Sequence, residues 1–348
     1  MSRLSVGNVN KAQTRAIDSV MGSGQSGRVF MSAGMDAGTA SGMAFLVGEL
    51  EKRDPRLLEP LQNVWWPKVI TAKPGGGWVS FSSNYFVDYA TTGSDEDSIV
   101  GSEANNIPVS QADISKDIWK VFTFANILRA PLLDQSKLQE VGRDLNQILD
   151  NGIRLNHAKT IDKSVHLGIA KAGTYGLVNS PTVTAAAVAN GAAGTPAWAT
   201  KTPDEILSDI NIIITAAWAA SGYDLTGIPN TILLPPQKFA YLVNQKISTA
   251  GNMSILQYLK ENNIATQQGV NLEIMPNPFC VGAGANVTDR MVVYCNAEDR
   301  INFDVPVPLT RAMTAPNVGT VSFETVYAAQ FSEVKVLYPT TIRYGDGI

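Results

Sequence analysis

The side chains here best suited to nucleophilic, redox or metal chemistry are few: two histidines, His157 and His166, and two cysteines, Cys280 and Cys295. The histidines stand nine positions apart in a stretch with helical periodicity. At about 100° per residue they fall on opposite faces of a helix and cannot share a metal ion. Two cysteines make no disulfide framework, and the expected role of both is that of buried, small apolar groups in a reducing compartment. Gly22, Gly24 and Gly27 match the dinucleotide pattern G-x-G-x-x-G. That motif needs a buried strand entering the glycines and a helix leaving them, whereas 12–21 reads as a helix, so a flexible arm is expected instead. Asp95, Glu96, Asp97 and Glu103 lack the spaced ligands and turn glycine of a calcium loop, and read as a solvated acidic turn. No G-x-S-x-G, P-loop, H-E-x-x-H or C-x-x-C motif is present. The sequence therefore proposes no catalytic, cofactor-binding or metal-ligating residue.

The elements that would carry these residues are more informative. Apolar side chains at Leu138, Val141, Leu145, Ile148, Leu155, Ala158, Ile161, Val165 and Ile169 recur at steps of three and four, with Gly152 in the gap. This predicts one long amphipathic helix over 134–171, started by Asp134 after Pro131 and closed by Gly173. Unbroken, it would be roughly 57 Å long at about 1.5 Å per residue, the span of a whole globule of this chain length. Before it the period changes to two. Trp78 to Tyr89 alternate, as do 109–114 and 118–127, where Trp119, Val121, Thr123 and Ala125 share one side. These strands imply a long hairpin with a polar, acidic tip over 91–106. A two-stranded ribbon is marginal alone in water, so it is expected to lie across a neighbouring subunit.

Residues 1–64 read as a loosely specified arm broken by glycines. After the helix, 182–200 reads as a surface loop or hairpin. Thr202, Pro203 and Glu205 form a capping box opening a helix to about Ser221. Short strands are predicted at 231–234, 270–275 and 290–295, with helices at 237–247 and 253–262. The tail from Thr320 returns to period two, and its strands are expected beside the long helix, making the middle region an insertion.

Composition narrows the function classes. The chain has 348 residues, 45% hydrophobic, enough for a substantial core, yet only 17% are charged against roughly 25% in ordinary soluble domains. Such a surface suits coverage by other chains. The net charge is −4 without a block of cations, which excludes tight binding to nucleic acid, although a chain that merely encloses nucleic acid needs none. Residues 1–15 lack the apolar core of a secretory signal, and the most apolar run, 210–220, falls far below the ~20 residues that cross a bilayer. No membrane association is expected, and synthesis in the cytosol is.

Several short motifs, in this order, resemble one known family. They are GSEANNIP at 101–108, the helix over 134–171, GLVNSP at 176–181, PNTILLP at 229–235, and the ending from Tyr338 and Pro339 to YGDGI at 344–348. This layout resembles the major capsid proteins of tailed bacteriophages. The implied fold class is α+β: the Hong Kong 97-type major capsid fold with a long spine helix, an extended β-hairpin (E-loop) and an inserted α/β axial domain. The implied divisions are an N-terminal arm at 1–64, the hairpin and flanking strands at 65–130, the spine helix of a peripheral domain at 131–178, the axial domain at 179–308 and peripheral strands at 309–348. The implied function is structural: hexamers and pentamers of this chain closing into an icosahedral head around double-stranded DNA, without sequence-specific binding. Portal, scaffolding and decoration proteins are the implied partners, and the virion, assembled in the bacterial cytoplasm, the implied location. Two other readings fit the same residues: an encapsulin-like nanocompartment shell, and a soluble metabolic enzyme with its site in the middle domain.

Overall fold

The computed structural model describes residues 63–93, 108–140, 145–248 and 253–348. The glycine motif at Gly22, the acidic turn at Asp95 and the stretch 141–144 lie outside them. The chain divides into units 1–61 and 62–348. In chain order the second unit contains α1 (Trp66–Val69), β1 (Ala72–Pro74), β2 (Phe81–Thr91), β3 (Ser110–Pro131), α2 (Leu132–Glu140), α3 (Leu145–Leu167), β4 (Ala185–Ala187), α4 (Pro203–Ala220), β5 (Thr231–Leu234), α5 (Pro236–Asn244), α6 (Ile255–Asn262) and α7 (Ile264–Gln267). Then come β6 (Glu273–Pro276), β7 (Arg290–Tyr294), β8 (Ile301–Val305), β9 (Val307–Asn317), β10 (Ser322–Ser332), β11 (Lys335–Val336) and β12 (Ile342–Asp346).

The 22-residue strand β3 organises one half. Its first part pairs antiparallel with β2, from Thr91 opposite Ser110 to Phe81 opposite Lys120. Its second part pairs with β10, from Ser332 opposite Val121 to Ser322 opposite Pro131. The sheet order is β2, β3, β10, β9, so the partners take opposite edges of β3. Alternation then sorts the side chains. Phe124, Leu128 and Ala130 pack toward α3, with Phe124 edge-on to His157 at 5.0 Å and Leu128 clustered with Ile153 and Tyr327. Thr123, Ala125, Ile127 and Arg129 are exposed on the far side, the face shared by odd positions.

The expected long helix is present as α2 and α3, but two details differ. Its buried stripe includes Ile153, Ile161 and Val165, while Ile148 is exposed and Gly152 has open space beside it. It also ends at Leu167, not Lys171, because Gly168 turns left-handed at φ +73°. Gly173, also left-handed, closes only the single 3-10 turn Ala170–Ala172. The orphan carbonyls of the last turn are met by a returning segment. The Leu177 and Val178 amides donate to the Val165 and His166 carbonyls at 2.8 and 3.1 Å, and Asn179 Nδ2 donates to the Leu167 carbonyl at 2.9 Å. The segment fits because Gly176 has no side chain; a Cβ there would lie 2.3 Å from the His166 carbonyl carbon. The motif at 176–181 is thus the cap of α3.

The other half is a five-stranded sheet ordered β4, β12, β7, β5, β6. The last strand of the chain runs between β4 and β7, inside the sheet of the middle region, while β10 alone of the tail strands joins β3. Thr202 and Glu205 cap α4 reciprocally, with Pro203 at its first turn. Ile206, Ile210, Ile213, Ile214 and Ala217 of α4 are buried, a stripe of 3.6 period. Within 182–200, Trp198 is wholly buried and donates to Asp209 at 3.1 Å; Asp209 in turn pairs with buried Lys201 at 2.6 Å. Cys280 and Cys295 are free and buried, and desolvation pushes the Cys280 thiol up to about 12, so it stays protonated.

The two histidines do lie on opposite sides of α3. His166 stacks on Phe279 at 4.5 Å, holding the helix to the 3-10 turn Pro278–Cys280. Its Nδ1 donates to the Asp162 carbonyl at 2.8 Å and Nε2 is buried without a partner. Burial depresses the basicity of both imidazoles below the ordinary value of 6.5. Both are neutral when folded but take up a proton when unfolded, so their contribution to stability is intact above about pH 6.5 and is lost as pH falls below it. Melting temperature is expected to decline from pH 7.5 to 5.5, and His166→Phe to flatten that slope. An identical slope in the variant would assign the decline elsewhere.

Candidate assembly surface

The ribbon formed by β2 and the first part of β3 has two unlike sides. Phe81, Ser83, Tyr85, Val87 and Tyr89 face the same way as Ala112, Ile114, Lys116, Ile118 and Lys120. The large apolar members are 45% to 82% exposed, and Trp78 at the root is exposed as well. Lys116 covers part of Tyr85, with Nζ 5.5 Å from the ring centre. The opposite side is polar and acidic. There Asp88 lies directly opposite Asp113, with Asp117 further along the same side. Like charges opposed across a ladder destabilise it. Even positions of β3 carry both the apolar side of the ribbon and the contacts with α3, so both lie on one side of the ladder.

A contiguous apolar strip of this size on a ribbon with no core beneath it marks an interaction surface. A second patch lies on the other side of the sheet, where Val326 is paired with Ile127 and with Met313, the latter two strongly exposed. Two complementary patches facing opposite ways are the requirement for a heterologous contact that repeats from subunit to subunit.

The root of the ribbon is fixed by a charge that sequence patterning does not predict. Lys335 is only 3% exposed, and its Nζ donates to Ser82 Oγ at 2.7 Å, Asn84 Oδ1 at 3.2 Å and the Asp304 carboxylate. Ser82 also donates to Asp304, and the Glu333 amide donates to the Lys120 carbonyl at 3.0 Å. The ribbon is thereby tied to β8 and β11 as well as continuous with β3. Removing the cation leaves the Asp304 carboxylate largely buried and unpaired, so Lys335→Met is expected to cost about 3–5 kcal/mol in chemical denaturation. Adding Asp304→Leu is expected to recover most of it; no recovery would mean that Lys335 acts by packing alone. The visible signal was a lysine between Val334 and Val336 in an apolar strand.

Trp66 packs edge-on to Phe303 at 5.3 Å and Trp198 is core, whereas Trp119 is half-buried on the acidic side of the ribbon. No helix of the described residues is long and apolar enough to cross a membrane.

The family model described as Major capsid protein matches residues 95–348. Among solved structures, the capsid of Myoviridae phage XM1 aligns with a TM-score of 0.71 at 15% identity, over 91% of this chain and 100% of that one. A chain from Microbacterium phage Oxtober96 aligns at 0.56 with 11% identity, over 87% and 97%. One from Mycobacterium phage Bobi aligns at 0.54 with 16% identity, over 84% and 91%. No curated protein matches the chain. At these identities the likeness is one of fold, and that fold is the α+β, Hong Kong 97-type capsid fold. With the family model spanning most of its length, the chain belongs to the major capsid protein family, a structural and non-enzymatic subunit that assembles with copies of itself into the capsid of a virion.

Proposed function

We propose that this chain builds the icosahedral head of a tailed phage as hexamers and pentamers enclosing double-stranded DNA, which it contacts without reading sequence. The observation that carries this reading is the exposed apolar side of the β2–β3 ribbon. In this arrangement the ribbon of one subunit lies over the sheet of the next, with Tyr85, Val87, Ile114 and Ile118 against the Ile127, Val326 and Met313 patch. Assembly takes place in the bacterial cytoplasm, with a scaffolding protein setting curvature, a portal at one vertex and decoration proteins as further partners. The ribbon, the α3 helix and the β4–β7 sheet region correspond in this reading to the extended hairpin, the spine and the axial domain.

Expression of the chain with and without its neighbouring head genes, followed by negative-stain microscopy and light scattering, tests the proposal. Closed shells, rings of six or tubes are expected. A homogeneous monomer or dimer under both conditions, stabilised by a small-molecule ligand, would overturn it.

A further inference from the structure

We infer that the exposed side of α3 is the surface that meets the enclosed nucleic acid, with Lys159, Lys163 and Lys171 taking phosphodiester oxygens. The inference rests on the reading that the shell encloses nucleic acid, and adds which side of the subunit faces it.

Lys159 and Lys163 are exposed one helical turn apart, and Lys171 is exposed just beyond the helix end. None of the three has a carboxylate partner among the described residues, whereas the nearby Arg154 is paired with Asp150 at 2.9 Å. Among the described residues of α3, no exposed unpaired acid stands beside them. Asp150 is engaged by Arg154, and Asp162 is buried, where it accepts from the Trp65 and Trp66 amides at 2.9 and 2.7 Å. The remaining exposed positions of this stretch, among them Asn151, Gly152 and Asn156, are uncharged.

The opposite sign lies on the opposite side. Because α3 packs on the even positions of β3 and Asp113 and Asp117 occupy odd positions, the acidic side of the ribbon faces away from the α3 side of the ladder. Around α3 and the ribbon, the three lysines and the aspartates therefore lie on opposite sides, one locally cationic and one locally anionic. A subunit of a closed shell turns one side to the lumen, and a polyanion inside is attracted to the cationic one. Each phosphate neutralised contributes a salt slope of about 0.9, so three lysines per subunit hold a polyanion weakly and without sequence preference. Repetition over the shell makes the contact collective while leaving each one easily released.

The test is lysine labelling with a small amine-reactive reagent on particles as purified and after osmotic release of their contents, read by peptide mass spectrometry. Labelling of Lys159, Lys163 and Lys171 is expected to be several-fold slower in filled than in emptied particles, with exposed Lys260 on α6 unchanged as internal reference. Slow labelling in both states would overturn the inference in favour of a covering second copy, the acidic ribbon side being the candidate. Equally fast labelling in both would place the helix away from the contents. Particles with no nucleic acid by absorbance would instead remove the enclosure reading, and this inference with it.

Discussion

Gly176→Ala is expected to cost at least about 3 kcal/mol and to leave little soluble subunit. The new Cβ would sit 2.3 Å from the His166 carbonyl carbon and 2.5 Å from the Leu167 nitrogen, both backbone atoms of α3 that no rotamer change can move. Relief requires the returning segment to lift, and lifting strips the caps from the Val165, His166 and Leu167 carbonyls together. Those carbonyls are buried with the helix end, where an unmet polar group costs about 1–3 kcal/mol. Gly152→Ala, on the open side of the same helix, supplies the control: with nothing within 4 Å of its Cβ, it is expected to stabilise by about 0.5–1 kcal/mol. Denaturant titration of both variants reads the contrast. Equal melting of Gly176→Ala and the parent would mean that the segment does not cap α3 as described.

Ile114→Glu is expected to abolish shells while leaving the subunit folded. Ile114 is 66% exposed opposite Val87, so the substitution touches no core and should change stability by no more than about 0.5 kcal/mol. In an assembled shell that position loses the roughly 1.5–3 kcal/mol of burying a large aliphatic side chain and adds a charge to an apolar contact. With about 1.4 kcal/mol per factor of ten, the concentration needed for assembly should rise on the order of 100-fold. Asp113→Asn, one residue away on the other side of the ribbon, removes the opposition to Asp88 and should assemble normally, with slightly raised stability. Light scattering against concentration, beside a thermal melt of each variant, separates the outcomes. Normal shells from Ile114→Glu would mean that the apolar side of the ribbon is not the contact.

Both predictions depend on geometry of different legibility. The ribbon was readable as extended stretches, because alternation over 78–89, 109–114 and 118–127 follows from strand geometry whatever the strand packs on, whereas the single unbroken strand Ser110–Pro131 was not. The cap at Gly176 was visible only as part of a motif, since nothing local distinguishes a glycine that admits a crossing backbone from one that merely loosens a turn. The helix end shows the same limit. Gly168 and Gly173 are both left-handed, and it took the returning segment to make the first one the terminus.

What the sequence by itself determined is what neighbours along the chain decide: the periods of the ribbon and helix, the Thr202–Glu205 capping box, the short strand Thr231–Leu234, and the placement of the two histidines on opposite sides of α3. Only the tertiary structure decided which buried charge meets which. Lys335 finds Ser82 and Asn84 some 250 positions away, and Asp162 caps α1 from 96 positions downstream. It also placed β12 between β4 and β7, and packed α3 on the even-numbered side of β3. Period and capping are free energies of adjacent residues and are written in local order. Ion pairs, strand neighbours and the sidedness of a sheet arise when distant segments exclude water together, and no local pattern encodes them.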